Sequence, residues 1–253
     1  MYNIFETIYK YVGRKRNDTF SKYMKIRGWT DETVEKWGLG FFPANDLLAL
    51  KIMVRNDGYD NDVLFESGVL RGESSLFFDR VIFPVFNTWG KVVAITGRTL
   101  RESVKPKYFN TVFEKSKTLY GLNFAFKKIL ETQIVYVFEG NADVITAHQH
   151  GISNSVCCMG TALGEDHIIL LSRYAKNIVL IFDNDTGGQG ALKSFNKREI
   201  EKGKSEINVF RCLLDKHKDV DEFLNNENAE SLLNYISKKI EDTSEQNKLK
   251  QIK

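Results

Sequence analysis

Glu139, Asp143, Asp183 and Asp185 are the residues of this chain whose types and spacing best suit chemistry. Glu139 follows an apolar run at 134–138, and Asp183-Asn184-Asp185 follows a second at 177–182. Both runs have the length of strands, and carboxylates at the C-terminal ends of parallel strands gather at one sheet edge, where α/β proteins place their sites. Clustered acids repel one another unless a cation sits among them, so the expected occupant is Mg²⁺ or Mn²⁺. Two such ions can stabilise the attacking and leaving oxygens of an in-line phosphoryl displacement. Asp183 is placed to bridge ions and Asp185 to support one of them. Glu139 either ligates or acts as general base toward a hydroxyl or water. Asp143, one helical turn on, reaches the same edge or orients its neighbours. Asp219 and Asp221 follow a further strand-like run at 207–213 and bring a third acidic group to that edge. A lone Asp-x-Asp is more often a turn than a site. The Glu-Gly strand end earlier in the chain sets this one apart.

The elements that must carry these residues alternate. After strand 134–138 the sequence predicts a helix from 142 to 150 closed by Gly151, then strand 155–159 and a helix from 164 to 174. Strand 178–182, a helix from 188 to 202 and strand 207–213 complete a parallel, doubly wound unit. Gly187, Gly188 and Gly190 allow close backbone approach at a helix start, suited to a phosphate or to a plain tight turn. The first half reads differently. Residues 4–24 predict a basic helix, Thr30 caps a short helix stopped by Gly38, and 46–55 predict another. Runs at 80–86 and 92–98 predict antiparallel strands. The predicted organisation is a basic α+β part at 1–130, a catalytic α/β part at 131–225, and a C-terminal helix with a Lys-rich tail at 226–253.

Charge follows the same division. Residues 1–130 hold 21 Lys and Arg against 14 Asp and Glu, a balance of +7, whereas 131–253 carry −4. A basic half joined to an acidic half suits a protein that holds a polyanion and places metal beside it. Cys157, Cys158 and Cys212 have no Cys-x-x-Cys spacing, so neither a zinc site nor a disulfide framework is indicated. His148 and His150 point apart on a helix and are set aside as ligands. No run is long enough for a membrane span, and the default setting is reducing and cytoplasmic.

Glu139-Gly140-x-x-Asp143 with Asp183-x-Asp185-x-x-Gly188 resembles the TOPRIM signature shared by topoisomerases and primases. The chain from about 25 to 224 is similar to the RNA polymerase core of bacterial DnaG-type primases. The similarity includes Arg27-Gly28, Asp79-Arg80-Val81-Ile82-Phe83-Pro84, Gly97-Arg98, Pro106-Lys107-Tyr108-Phe109-Asn110, Leu119-Tyr120-Gly121-Leu122 and Asp219-Val220-Asp221. The family's Glu-Gly-Tyr-Met-Asp stands here as Glu139-Gly140-Asn141-Ala142-Asp143, so the acids are kept.

The resemblance implies a TOPRIM domain behind a mixed α/β subdomain, with a nucleic-acid groove between. It implies short RNA primers made on single-stranded DNA from NTPs. Glu139 would be the catalytic glutamate, Asp183 and Asp185 the metal pair, and Asp143, Asp219 and Asp221 accessory acids. Arg80, Arg98, Lys107, Asn110 and Lys115 would handle template and nucleotide phosphates, with Tyr108 stacking on a base or ribose. For any one of these cations, a solvated surface position is the plain alternative. The family's zinc-binding and helicase-binding domains are not evident in this sequence, so the chain is expected to be either an excised core or a phage-like or mobile-element primase that takes a replicative helicase and a zinc-binding module in trans. A metal-dependent nuclease built on the same acids, or a non-catalytic single-strand-binding module, are the rival readings.

Overall fold

The computed structural model describes residues 2–13, 15–44, 46–160, 163–183 and 207–251. It divides into two compact units, Met1–Glu114 and Lys115–Lys253.

The first unit begins with helices α1 (Tyr2–Val12), α2 (Asp18–Ile26) and α3 (Asp31–Trp37). Strand β1 (Gly40–Phe42), helices α4 (Leu47–Asn56) and α5 (Asp62–Glu66), and the small hairpin β2 (Leu70–Arg71) and β3 (Ser74–Ser75) follow. Strands β4 (Arg80–Phe86), β5 (Val92–Thr99) and β6 (Tyr108–Asn110) complete an antiparallel sheet of order β1-β4-β5-β6. The single helix expected over 4–24 is two. Asn17 restarts the chain as an N-cap, its side chain accepting from the Phe20 N–H at 2.8 Å. Thr30 caps α3 as expected, and Gly38, at φ +62°, ends it. Ile4, Phe5, Ile8 and Val12 recur at helical spacing, so α1 buries one face in a core with Phe42, Leu50, Ile82 and Ile95.

The second unit opens with a 3₁₀ turn (Lys115–Lys117) and α6 (Leu122–Thr132). It continues through β7 (Ile134–Phe138), α7 (Asn141–Gln149), β8 (Ser155–Cys157), α8 (Glu165–Leu171), β9 (Asn177–Phe182) and β10 (Asn208–Leu213). Helices α9 (Val220–Asn226) and α10 (Ala229–Gln251) close it. All strand pairs of its sheet are parallel, in the order β10-β9-β7-β8. The domain boundary expected near 131 falls inside this unit. The helix before it, α6, buries Leu122, Ala125 and Ile129 in the same core as Val135, Val137 and Ile178. The helix expected over 188–202 lies outside the described residues, as do Thr161 and Ala162. Helix α10 runs to Gln251 where a frayed tail was expected, in keeping with the helix propensity of its Lys, Glu and Gln residues. No helix among the described residues is long and apolar enough to cross a membrane.

Two features of these elements position the candidate site. Helix α7 is buried at every position from Asn141 to His148, packed against β8 and α9. In the first unit, Gly97 lets Phe77 and Arg80 lie directly against β5. A Cβ there would sit 2.7 Å from Phe77 Cδ1 and 3.0 Å from Arg80 Cδ. Gly97→Ala is therefore expected to overpack this point and lower stability by about 1–3 kcal/mol, read as a shift in the denaturant midpoint.

Candidate active site

The parallel sheet places Glu139 and Asp183 side by side. Strands β7 and β9 pair with Ile134 opposite Asn177 and Val137 opposite Leu180, so both chains run out of the sheet at the same level. The Asp183 N–H donates to Glu139 Oε1 at 3.0 Å. Strand β7 has β8 on one side and β9 on the other, so the strand order reverses at this crevice. Such switch points are where open α/β sheets bind ligands. Asp185, the second member of the expected pair, lies outside the described residues, as do Gly187, Gly188 and Gly190.

The accessory acids are held by the fold. Asp143 is buried on α7, with Oδ2 accepting from the Gly140 N–H and Oδ1 from the Asp221 N–H, both at 3.1 Å. Burial pushes its carboxyl up to about 7, with the nearby Asp219 and Asp221 carboxylates adding to the rise and the two N–H groups opposing it. Asp221 is also buried and accepts from the Thr146 hydroxyl. Asp219 caps α9, accepting from the Glu222 N–H at 2.8 Å. Asp143 and Asp221 pin α7 to the start of α9, and Asp219 caps that start. Among the described residues no group of three or more His, Cys, Asp or Glu is assembled to hold an ion. The side-chain donors that Glu139 and Asp183 bring to the edge are carboxylate oxygens. That chemistry fits a hard divalent cation.

The first unit holds the basic residues. Arg98 lies over the Tyr23 ring at 4.5 Å and the Tyr108 ring at 5.7 Å, and its buried Nε and Nη1 have no hydrogen-bond partner. It lines an open cavity of about 770 Å³ together with Lys22, Arg27, Arg101, Lys105 and Lys107. Lys107 is exposed, and Arg101 is paired with Asp79 at 2.5 Å. Tyr108 packs on Phe83, and Asn110 Oδ1 accepts from the Thr96 hydroxyl at 2.7 Å. Arg80 is placed differently. It is 2% exposed, donating from Nε to the Leu76 carbonyl and from Nη1 to the carbonyls of Gly97, Pro106 and Lys107. Burial holds its guanidinium below the ordinary arginine value. Lys115 belongs to the second unit. Its carbonyl is bonded to His167 Nε2 at 2.7 Å, while His167 Nδ1 accepts from the Gly164 N–H at 3.3 Å.

Sequence reasoning took Arg27 as a motif residue only and passed over Lys22, Arg101, Lys105 and His167. The signal for the first two was helical spacing. Thr19, Lys22, Tyr23, Ile26 and Arg27 recur at three and four residues, which lays them on one face of α2.

Comparison with known proteins gives the family. The profile of the DNA primase catalytic core, N-terminal domain, matches residues 8–126, and the Toprim-like profile matches 136–224. The chain belongs to the DnaG-type primase catalytic-core family. It is 37% identical over 229 residues to a DNA primase of Clostridium acetobutylicum, covering 87% of this chain and 37% of that protein. It thus spans less than two fifths of that relative's length. Its fold superposes on part of a solved Aquifex aeolicus primase chain that holds the zinc-binding and RNA polymerase domains. The TM-score is 0.81 at 28% identity, over 94% of this chain and 60% of that one. A DnaG primase catalytic domain solved with single-stranded DNA gives a TM-score of 0.81 at 25% identity, over 94% and 80% of the two chains. Proteins of the Toprim and primase families generally depend on a divalent metal.

Asp143→Ala would leave the Gly140 and Asp221 N–H groups buried without acceptors. It is expected to lower stability by about 2–4 kcal/mol in a chemical melt, with Asp143→Asn, which keeps one acceptor, costing less.

Proposed function

We propose that this chain is the polymerising core of a DNA primase, making short RNA primers on single-stranded DNA. The observation that carries this reading is the pairing of Glu139 with Asp183 at the switch point of the parallel sheet. The basic Arg98 cavity of the first unit and the solved relative bound to single-stranded DNA support the same reading. In this reading residues 1–130 handle template and nucleotide, 131–225 hold the metal, and 226–253 form the C-terminal helix.

The reaction joins a ribonucleotide 3′-oxygen to the α-phosphorus of an incoming NTP and breaks the bond to pyrophosphate, with the hydroxyl proton lost to a base. Mg²⁺ or Mn²⁺ held by Glu139, Asp183 and Asp185 would supply charge stabilisation to the attacking and leaving oxygens. Asp143 and Asp221 tie α7 to α9, and Asp219 caps the first turn of α9. Arg98 offers two unpartnered donors from a position fixed between two tyrosine rings, which suits a phosphate oxygen. Lys107 adds an exposed positive charge just before β6, which carries Tyr108 and Asn110. Arg80 acts one step back, holding the main chain at Pro106 and Lys107 so that the Lys107 side chain projects from a fixed strand. Lys115, held at its carbonyl by His167, is assigned to the nucleotide phosphates. A replicative helicase and a zinc-binding module are the proposed protein partners.

Asp183→Ala is expected to reduce primer synthesis from labelled NTPs by more than about 100-fold while leaving single-stranded DNA affinity unchanged. Full synthesis by that variant would remove the metal assignment, and template cleavage without NTP incorporation would turn the reading to a nuclease. Lys107→Ala is expected to weaken template binding and to lower the slope of log affinity against log salt by about one, as loss of one phosphate contact should. An unchanged slope in a fluorescence-anisotropy titration would take Lys107 out of the site.

A further inference from the structure

A second cavity of the first unit, about 580 Å³ in volume, lies away from the Arg98 cluster and is lined by Lys10, Tyr59, Trp89 and Lys91. Trp89 stands at the turn between β4 and β5 and is 86% exposed, whereas Trp29 and Trp37 are buried. An indole left in water forgoes the burial that makes tryptophan stabilising, so a rigid hairpin that presents one calls for a reason. This turn is rigid by construction. Asn87 Oδ1 accepts from the Trp89 and Lys91 N–H groups, both at 3.0 Å, and the Gly90 N–H donates to the Asn87 carbonyl at 2.9 Å.

Lys10 and Lys91 bring two cations to this cavity, and Glu6 and Asp57 bring two carboxylates. Glu6 Oε1 accepts from the Val92 N–H at 2.7 Å, and Asp57 Oδ2 accepts from the Thr7 hydroxyl at 2.5 Å, so both acids are engaged with the protein. The ammonium groups of Lys10 and Lys91 make no hydrogen bond or ion pair among the described residues. An exposed aromatic face flanked by free lysines suits one ligand chemistry above others. A base stacks on the ring, and the phosphates on either side of it meet the cations.

We propose that the Trp89 turn is a second contact for single-stranded nucleic acid, with a base stacked on the indole and its flanking phosphates at Lys10 and Lys91. This rests on the template-binding reading above and adds a site to it. Val92 and Thr99 begin and end β5, so the turn and the Arg98 cluster stand at opposite ends of one strand, about 23 Å apart at the usual rise per residue. A strand of several nucleotides is needed to touch both, and a short one fills only the Arg98 cavity.

The test is a pair of titrations of the full chain with a long and a short oligothymidylate, followed by anisotropy of labelled DNA and by intrinsic fluorescence. Because Trp89 is the exposed tryptophan, its emission is expected to be quenched by the long oligonucleotide and not by the short one. Trp89→Ala should abolish that quenching and weaken the long oligonucleotide about tenfold, leaving the short one unchanged. Trp89→Phe should restore most of the affinity, and Lys10→Glu with Lys91→Glu should weaken the long oligonucleotide and reduce its salt dependence. All three positions of substitution are at the surface of the cavity, and matching thermal melts will confirm that the variants fold. Equal affinity of wild type and Trp89→Ala for the long oligonucleotide, with Lys107→Ala still impaired on both lengths, would overturn this second contact and leave the template reading standing. Absence of DNA binding by the wild-type chain would overturn both.

Discussion

Parallel pairing of Ile134–Phe138 with Asn177–Phe182 decides where Glu139 and Asp183 arrive. In that register Glu139 leaves β7 level with Phe182, the last residue of β9, one residue before Asp183. The pairing is protected by burial, since Val135, Val137, Ile178 and Leu180 all enter one core. It is completed locally by the Asp183 N–H, which donates to Glu139 Oε1 and so ties the two strand ends together through the functional group itself. The acids of α7 and α9 tie those two helices together. They occupy N–H groups at helix starts that have no partner within the helix, one of them, that of Asp221, buried.

Two arginines in the first unit show how burial assigns roles to one residue type. Arg80 enters the sheet at β4 and is used up by main-chain carbonyls, which suits a planar donor with five N–H groups. Arg98, on the neighbouring strand, pairs in register with Val81 and Tyr108, and its guanidinium lies over aromatic rings with donors unspent. Stacking fixes the direction of the side chain without using its N–H groups, so the residue stays available to an anion. Asp143 is spent in the same way as Arg80, both of its oxygens accepting from backbone.

The sequence by itself determined the sheet and its acidic edge. Apolar runs of strand length, each ending in a carboxylate, and helices closed by Gly38 and Gly151 read directly, because periodicity and capping are local properties. The motifs around Arg80, Arg98 and Lys107 were also legible as a set. What each of them does was not, since burial depends on residues far apart in the chain. Arg80 and Arg98 look alike in sequence and are separated by which one meets the carbonyls of Gly97, Pro106 and Lys107. The place of α6 in the second core, the break between α1 and α2, and the gathering of Lys22 and Arg27 with the 98–107 segment were decided by tertiary structure. Each is a contact whose partners lie many residues away, and the energy that selects it, apolar burial and the pairing of buried polar groups, exists only once the chain is folded.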